Sequence, residues 1–462
     1  MLIKNNIIED IKNIIPKENV FFDLKTCYSN SIDKSIVMRT GENLAEIVIF
    51  PQNTEDVINI VKLANKYLTP ITCRGAGTNT VGACIPVQGG IVLNFEKMNK
   101  ILEINSQNMS VTVQPGVVVG DIQKEVEKIG LFYPPDPAKL DVSTIGGSIA
   151  QNSAGARCFK YGATKDYILE LKVVTGRGEL ITVGAKTAKN STGYNVSSLF
   201  VGSEGTLGIV VEATLKLIPK PQAQQVITAY FDCVEDSIST VNDIISAQLY
   251  PSTIDFMDKN ALKTVELYTK SGLLCEKEAL LLIEIDGIES SIDEQRFSIC
   301  KIIENNGGCG IKYSTNEVER EQIWSARRVS MTACSKLKPN VTTDDVIVPR
   351  ENLAKLVYGV QDICEKYELN LCLIGHVGDG SVHPQIPIDI EDEEEYKRYR
   401  KAKAEIYDLT ASLGGLLSGE HGIGVEKQKY ITKVVDNNVL CYMKDIKALF
   451  DPNNILNPSK IF

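Results

Sequence analysis

The sequence predicts an α+β chain of more than one domain, and three observations carry that expectation. Helix-type and strand-type apolar patterns interleave through the first 220 residues. Glycine is unevenly spread: 20 of the 34 glycines precede residue 209, six lie between 209 and 374, and eight return between 375 and 424. A Lys220-Pro221 step ends the apolar run Ile209 to Ile218, and proline both stops a strand and biases the residue before it toward extended backbone. The expected organisation is a loop-rich module over 1–220, a more regular module over 221–415, and a loop-rich return segment over 416–462.

Individual elements follow from periodicity. Thr54 to Tyr67 reads as a helix, with Thr54 as cap, Glu55 and Asp56 in its first turn, and Val57, Ile60, Val61 and Ala64 on one apolar face. Strands are expected at Ile71 to Cys73, Ile91 to Leu93 and Val111 to Val113, and a second amphipathic helix at Val119 to Ile129, closed by Gly130. In the middle module a strand at Ala279 to Ile285 alternates with helices at Ser290 to Asn305 and Thr315 to Lys336. The acidic run Glu391 to Glu395, followed by Lys397, Arg398, Arg400 and Lys401, reads as the solvated start of a helix.

Composition excludes several classes. A net charge of -10 argues against a nucleic-acid surface and against anionic membranes. No apolar run approaches the ~18 residues of a membrane span, and the N-terminus mixes charges too early for a signal peptide, so a cytoplasmic location is expected. Twelve scattered cysteines fit a reducing compartment. No Cys-x-x-Cys pair or iron-sulfur spacing occurs, so redox chemistry would need another cofactor.

The chain holds only three histidines, and all fall near its end. His376 and His383 lie in Gly375-His-Val-Gly-Asp-Gly-Ser-Val-His383, and His421 lies in Ser418-Gly-Glu-His-Gly-Ile-Gly424 beside Glu420. Two imidazoles and a carboxylate with open positions suit a catalytic divalent ion such as Zn2+, Fe2+ or Mn2+, whereas a closed structural site wants four protein ligands. The competing reading is that these histidines are hydrogen-bonded core or loop residues; the glycines around them favour close backbone approach to a ligand.

Arg74-Gly-Ala-Gly-Thr-Asn79 follows a strand and offers a row of backbone N–H groups of the kind that cradles a pyrophosphate. It is not a dinucleotide fingerprint, because Thr80 stands where the third glycine would be, and the absence of Gly-Lys excludes a P-loop. Three further stretches accompany it: Pro134-Pro-Asp-Pro137, Ser143-Thr-Ile-Gly-Gly-Ser-Ile-Ala-Gln-Asn-Ser-Ala-Gly155 and Gly202-Ser-Glu-Gly-Thr-Leu-Gly208. Together these resemble the flavin module of the vanillyl-alcohol oxidase / p-cresol methylhydroxylase type. The two histidine segments and the ending Phe450-Asp-Pro-Asn-Asn-Ile-Leu-Asn-Pro resemble the FAD-linked D-2-hydroxyacid dehydrogenases, the D-lactate dehydrogenase and glycolate oxidase large-subunit group, over about residues 40 to 462.

The resemblance implies a two-subdomain FAD-binding module, an α+β cap domain and a C-terminal segment returning to the FAD module. Arg74, Gly75, Ala76, Gly77, Thr78 and Asn79 would hold the pyrophosphate, Pro137, Ser143, Thr144, Gly146, Gly147 and Asn152 would complete the walls, and Gly208 and Ile209 would touch the adenine side. For Ser143 and Asn152 ordinary turn chemistry is the competing reading. With no histidine before position 376, the FAD is expected to be non-covalent. His376, His383 and Glu420 would ligate the metal, His421 would be the general base, and Arg327 would fork the substrate carboxylate, with Arg328 as fallback and Asp345 in a supporting role.

Two departures bear on specificity. Thr343 stands where relatives specific for 2-hydroxyglutarate carry a lysine, and Ser381 replaces the commoner asparagine. The resemblance then implies oxidation of a short D-2-hydroxy acid, D-lactate to pyruvate, with D-2-hydroxyglutarate or glycolate as alternatives. Electrons would pass to a soluble carrier such as an electron-transferring flavoprotein, and a homodimer is compatible with this reading. From another class, a flavin-free metal-dependent hydrolase could use the same His376/His383/Glu420 group.

Overall fold

Short β-branched runs build the first unit around two sheets. The computed structural model describes residues 5–36 and 44–462; the expectation of no leader partly concerns residues 1–4, which lie outside them. The chain divides into two compact units, one of Met1–Ala154, Ala163–Lys220 and Glu420–Phe462, the other of Gly155–Gly162 and Pro221–Gly419.

In the first unit, β1 (Val20–Phe21), β2 (Ile47–Ile49), β3 (Ile71–Arg74) and β4 (Ile91–Asn94) form a sheet ordered β1-β2-β4-β3, with β2 and β3 parallel to β4. Parallel strands need a crossover between them, and the helix Thr54–Tyr67 supplies it. Its Val57, Ile60, Val61 and Ala64 pack against Ile47, Ile49, Ile91 and Leu93 in one core. The chain's last residues join this sheet: Ile71 donates to the Ile455 carbonyl at 2.7 Å, and Cys73 donates to Asn457 Oδ1 at 2.8 Å. Strands β5 (Ile101–Asn105), β6 (Ser110–Val113), β8 (Ile168–Thr175), β9 (Leu180–Gly184) and β10 (Gly208–Lys216) form an antiparallel sheet ordered β5-β6-β10-β8-β9, while β7 (Leu131–Phe132) and β11 (Ile218–Pro219) form a two-stranded sheet.

The second unit is organised on β12 (Ala223–Phe231), β13 (Thr253–Asp258), β14 (Ala279–Gly287), β15 (Cys309–Tyr313), β16 (Asn340–Thr343), β17 (Val346–Ile347), β18 (Cys372–Gly375) and β19 (Ser381–Ile388). Its order is β15-β12-β14-β13-β18-β19-β16, with β17 added against β19. The helix Glu317–Arg328 lays Arg320, Trp324 and Arg327 on this sheet at helical spacing. Trp324 Nε1 donates to the buried Glu284 at 2.6 Å. Gly155–Gly162 belongs here because Lys160 pairs with Asp286 of β14 at 2.5 Å. Leu416–Gly419 also stays in this unit, with Leu416 bridged to Ile347, so the chain leaves it at Glu420 rather than at the expected 416.

Three elements differ from their sequence reading. The cap of the helix Thr54–Tyr67 is Asn53, whose Oδ1 accepts from the Asp56 N–H at 3.0 Å; Thr54 already sits in the first turn. The helix expected over 315–336 is two, Glu317–Arg328 and Ser330–Cys334, parted at Val329. The second amphipathic helix stops at Glu127, and Gly130 takes up φ +76° just beyond it. The acidic run does start a helix, Glu393–Ser412, capped by Asp392. Among the described residues no helix is long and apolar enough to cross a membrane.

The cap assignment has a measurable consequence. Asn53→Ala is expected to lower unfolding stability by about 1 kcal/mol, and Thr54→Ala to leave it within a few tenths of a kcal/mol of the parent, in chemical denaturation. Equal losses for the two variants would return the cap to Thr54.

Candidate active site

Strands β18 and β19 are a hairpin that places two imidazoles side by side. Ile374 pairs with His383, and the intervening turn carries His376. Gly380 closes that turn at φ +89°, where a Cβ would fall 2.4 Å from the Val348 carbonyl oxygen, so only glycine fits. The two rings meet edge to face with centroids 5.0 Å apart.

Each ring is oriented through Nδ1. His376 Nδ1 lies 2.6 Å from Asp255 Oδ1, and Asp255, on β13, is 1 % exposed. Burial alone would push this carboxyl up, but the neighbouring His376 and Arg327 outweigh it and hold the group below the usual carboxylate range. An ionised carboxylate only accepts, so a proton sits on His376 Nδ1, and in the neutral imidazole Nε2 is then the atom that carries the lone pair. His383 Nδ1 lies 3.3 Å from the Asp344 backbone carbonyl, which imposes the same tautomer. Ligand atoms of His376, His383 and Glu420 lie within 4.8 Å of one another. A pair of imidazoles offering Nε2 plus one carboxylate fits Zn2+, Fe2+ or Mn2+, and the oxygen acceptors behind each Nδ1 are what such ligands require.

Two adjacent acids support the hairpin. Tyr407 donates its hydroxyl to the Asp344 carboxylate at 2.8 Å, and Lys403, one turn earlier on the same helix, approaches it at 3.4 Å. Asp345 accepts from Ser418 Oγ at 3.0 Å and from the Gly419 N–H at 2.6 Å, fixing the residue that precedes Glu420. Arg327 reaches the same unit from its helix: Nε stands 2.8 Å from Asp255 Oδ2 as a close ion pair, and the side chain is 11 % exposed. Arg328 lies out on the surface with Glu321 at 2.6 Å. Thr343 ends β16 opposite Gln385, and Ser381 is buried at the start of β19.

In the first unit the glycine loops converge. Gly75, Ala76 and Thr144 line a cavity of 710 Å³ together with Gly116, Val117 and Lys124. Gly75 allows close approach of the two loops, since a Cβ there would fall 2.2 Å from Thr144 Oγ1. Arg74 turns its Nη1 onto the Ile32 carbonyl at 2.6 Å, and Thr78 Oγ1 lies 3.4 Å from Ser143 Oγ. Thr144 caps the short helix that carries Gly146 and Gly147, and Gly146 abuts Pro115. Asn152 ends that helix in left-handed backbone and accepts from the Lys165 N–H at 2.9 Å, which is turn chemistry. Pro137 is half-buried in its loop, Gly208 sits against Val173, and Ile209 packs in the core. The cavity is also lined by Glu96, Asp121 and Glu125, and the part of its lining that suits a flavin nucleotide's phosphates is the glycine loop at Gly75 and Ala76.

His421 is held in this unit by its carbonyl, which accepts from Asn79 Nδ2 at 3.2 Å. The following turn is strapped by Glu204, whose carboxylate accepts from the Ile423 N–H at 2.7 Å and the Gly424 N–H at 2.8 Å. Sequence reasoning missed both Asp255 and Glu204. The first stood in an apolar strand and the second inside a motif read only for its glycines.

The family description "FAD linked oxidases, C-terminal domain" matches residues 220–461, and "FAD binding domain" matches residues 45–184. The chain belongs to the FAD-linked oxidases. Glycolate oxidase subunit GlcD of Bacillus subtilis is 42% identical over 91% of this chain and 90% of its own. D-lactate dehydrogenase of Anaerostipes hadrus is 32% identical over 98% and 96%. Among solved structures, p-cresol methylhydroxylase with substrate bound superposes with TM-score 0.84 at 16% identity, covering 99% of this chain and 96% of that one. A 4-ethylphenol oxidase from Gulosibacter chungangensis gives 0.81 at 20%, with the same coverage of 99% and 96%. The fold of this FAD-linked oxidase is therefore the vanillyl-alcohol oxidase / p-cresol methylhydroxylase type, a flavin-binding domain plus a C-terminal domain.

Burial pushes the Glu204 carboxyl up to about 7, against the opposing hydrogen bonds from Ile423 and Gly424. An acid whose folded value is raised contributes stability that is full below its unfolded value, 4.5, and is lost as pH rises through 7. Relative to Glu204→Gln, the parent is expected to lose on the order of 3 kcal/mol between pH 4.5 and 8, read from denaturation at each pH. A flat difference across that window would contradict the burial of an ionisable Glu204.

Proposed function

We propose that this FAD-linked oxidase oxidises a short D-2-hydroxy monocarboxylate to the 2-oxo acid, with D-lactate to pyruvate as the lead reaction and glycolate as the competing substrate. The observation that carries the reading is the meeting of His376, His383 and Glu420, with Arg327 joined to His376 through Asp255. The relatives' names support it, because glycolate and D-lactate share the 2-hydroxy carboxylate headgroup. D-2-hydroxyglutarate is disfavoured, since Thr343 offers no cation to a second carboxylate.

The reaction removes the hydroxyl proton and a hydride from C2. Bound FAD would supply the two-electron acceptor, and a divalent ion on His376, His383 and Glu420 would supply a Lewis acid that makes the hydroxyl more acidic. Arg327 holds the substrate carboxylate with its Nη pair, which orients C2. His421 takes the hydroxyl proton, a role suited to an imidazole near neutral pH. Gly75, Ala76 and Thr144 line the cavity that would take non-covalent FAD, with Arg74, Gly77, Thr78, Asn79, Pro137, Ser143, Gly146 and Gly147 in the loops that carry them, whereas Asn152, Gly208 and Ile209 are taken up by turn and core packing. The chain serves as one module of a relay: the two electrons leave for a soluble carrier of the electron-transferring flavoprotein kind.

His421→Asn is expected to keep FAD and metal while substrate-driven bleaching of the flavin slows at least a hundredfold. His383→Ala is expected to lose metal and turnover with FAD retained. Bleaching at the parental rate in His421→Asn would remove the base assignment, and full metal content in His383→Ala would remove the ligand assignment. In an anaerobic panel D-lactate and glycolate should bleach the flavin and D-2-hydroxyglutarate should not. Mixing the reduced enzyme with oxidised carrier flavoprotein then tests the acceptor: a carrier that stays oxidised while a dye is reduced is the wrong partner.

A further inference from the structure

Asp255 is a buried acid that touches two residues given different tasks above. It lies on β13, whose Phe256 pairs with Gly375, so strand pairing sets Asp255 beside the base of His376. Its two oxygens are divided: Oδ1 lies 2.6 Å from His376 Nδ1 and Oδ2 lies 2.8 Å from Arg327 Nε. With 1 % exposure, water does not substitute for either partner.

We propose that Asp255 is a positioning residue that couples the substrate-carboxylate arginine to the metal centre, so that metal affinity and substrate affinity depend on one another through a single shared carboxylate. This inference rests on the roles given to His376 and Arg327 under the proposed function. Accepting from Nδ1–H fixes the His376 ring and makes Nε2 a more basic ligand. The ion pair at Nε, which is not aligned as a hydrogen bond, holds the guanidinium by charge at its inner edge, and the Nη1 and Nη2 donors would form the fork for a planar carboxylate. The negative charge is shared between the two, so each partner moderates what the other receives. Removing Arg327 therefore concentrates the carboxylate on His376 and strengthens the metal ligand. Removing the carboxylate weakens the ligand and loosens the arginine together. An Asp255 that merely neutralised Arg327 for folding would move neither metal affinity nor, with metal saturating, the Michaelis constant.

The test uses the full-length FAD-loaded protein and Zn2+ or Mn2+ alone, titrated against a chelator dye. Asp255→Asn, which keeps shape and removes charge, is expected to weaken metal binding by about 10- to 100-fold. With metal saturating, its KM for D-lactate or glycolate should rise about tenfold, while flavin content stays at the parental level. Arg327→Met, with Asp255 in place, should bind the metal severalfold more tightly than the parent. Parental metal affinity in both variants overturns the coupling, and so does loss of flavin from Asp255→Asn with metal affinity unchanged, which would mark a structural residue. If Asp255→Asn does not fold, the Arg327→Met titration decides alone, and unchanged affinity there overturns the proposal. His383→Ala separates this failure from that of the underlying reading: parental metal binding in His383→Ala means the metal centre itself is misassigned, whereas metal loss there beside unaffected Asp255→Asn sinks only the coupling.

Discussion

A carboxylate buried in a sheet has to be met by positive charge or by N–H groups, because the energy of leaving it ionised and alone exceeds the stability margin of a domain. Asp255 is such a group. Six consecutive residues of β13 are buried, two of them acids, and each acid gathers structure around itself. Asp258 caps the helix Lys259–Thr269 and also accepts from the Leu373 N–H at 3.1 Å, tying β13 to β18. Asp255, three residues earlier, draws in Arg327 from one element and His376 from another. The hairpin that bears the histidines is thus held by electrostatics from the strand beside it.

The same device recurs with different partners. Asp345 uses its carboxylate to fix Ser418 and Gly419, and Glu204 uses its own to fix Ile423 and Gly424. Ser418 and Gly419, just before Glu420 and His421, are therefore tied to one acid, and Ile423 and Gly424, just after them, to another. Glycine-rich loops approach ligands closely but lose much conformational freedom on ordering. Hydrogen bonds donated by the loop's N–H and hydroxyl groups to buried acids offset that loss.

Charge placement also separates roles along the helix Glu317–Arg328. Arg320, Trp324 and Arg327 share the face toward the sheet and meet Glu284 or Asp255, while Arg328 pairs with Glu321 at the surface. Two neighbouring arginines that are indistinguishable as residue types acquire different environments from a 100° turn of the helix. The break at Val329 follows directly after this pair and lets the next helix, Ser330–Cys334, take a separate path.

Much was written in the sequence alone. Periodicity placed the helix Thr54–Tyr67 and the short strands around it, because apolar spacing is a local property and burial of one face enforces it. The histidine and glycine motifs were legible for the same reason: hairpin and loop bring His376 and His383 together over seven residues. Tertiary structure decided the rest. Asn53 rather than Thr54 caps its helix, since the cap depends on where the backbone leaves the extended region, and both residue types are able to cap. Asp255 lies 121 residues from His376, and Glu204 lies 219 from Ile423. A lone acid in a string of letters reads as solvated, and only strand pairing and loop closure over those separations bury it and supply the partners that give it a task.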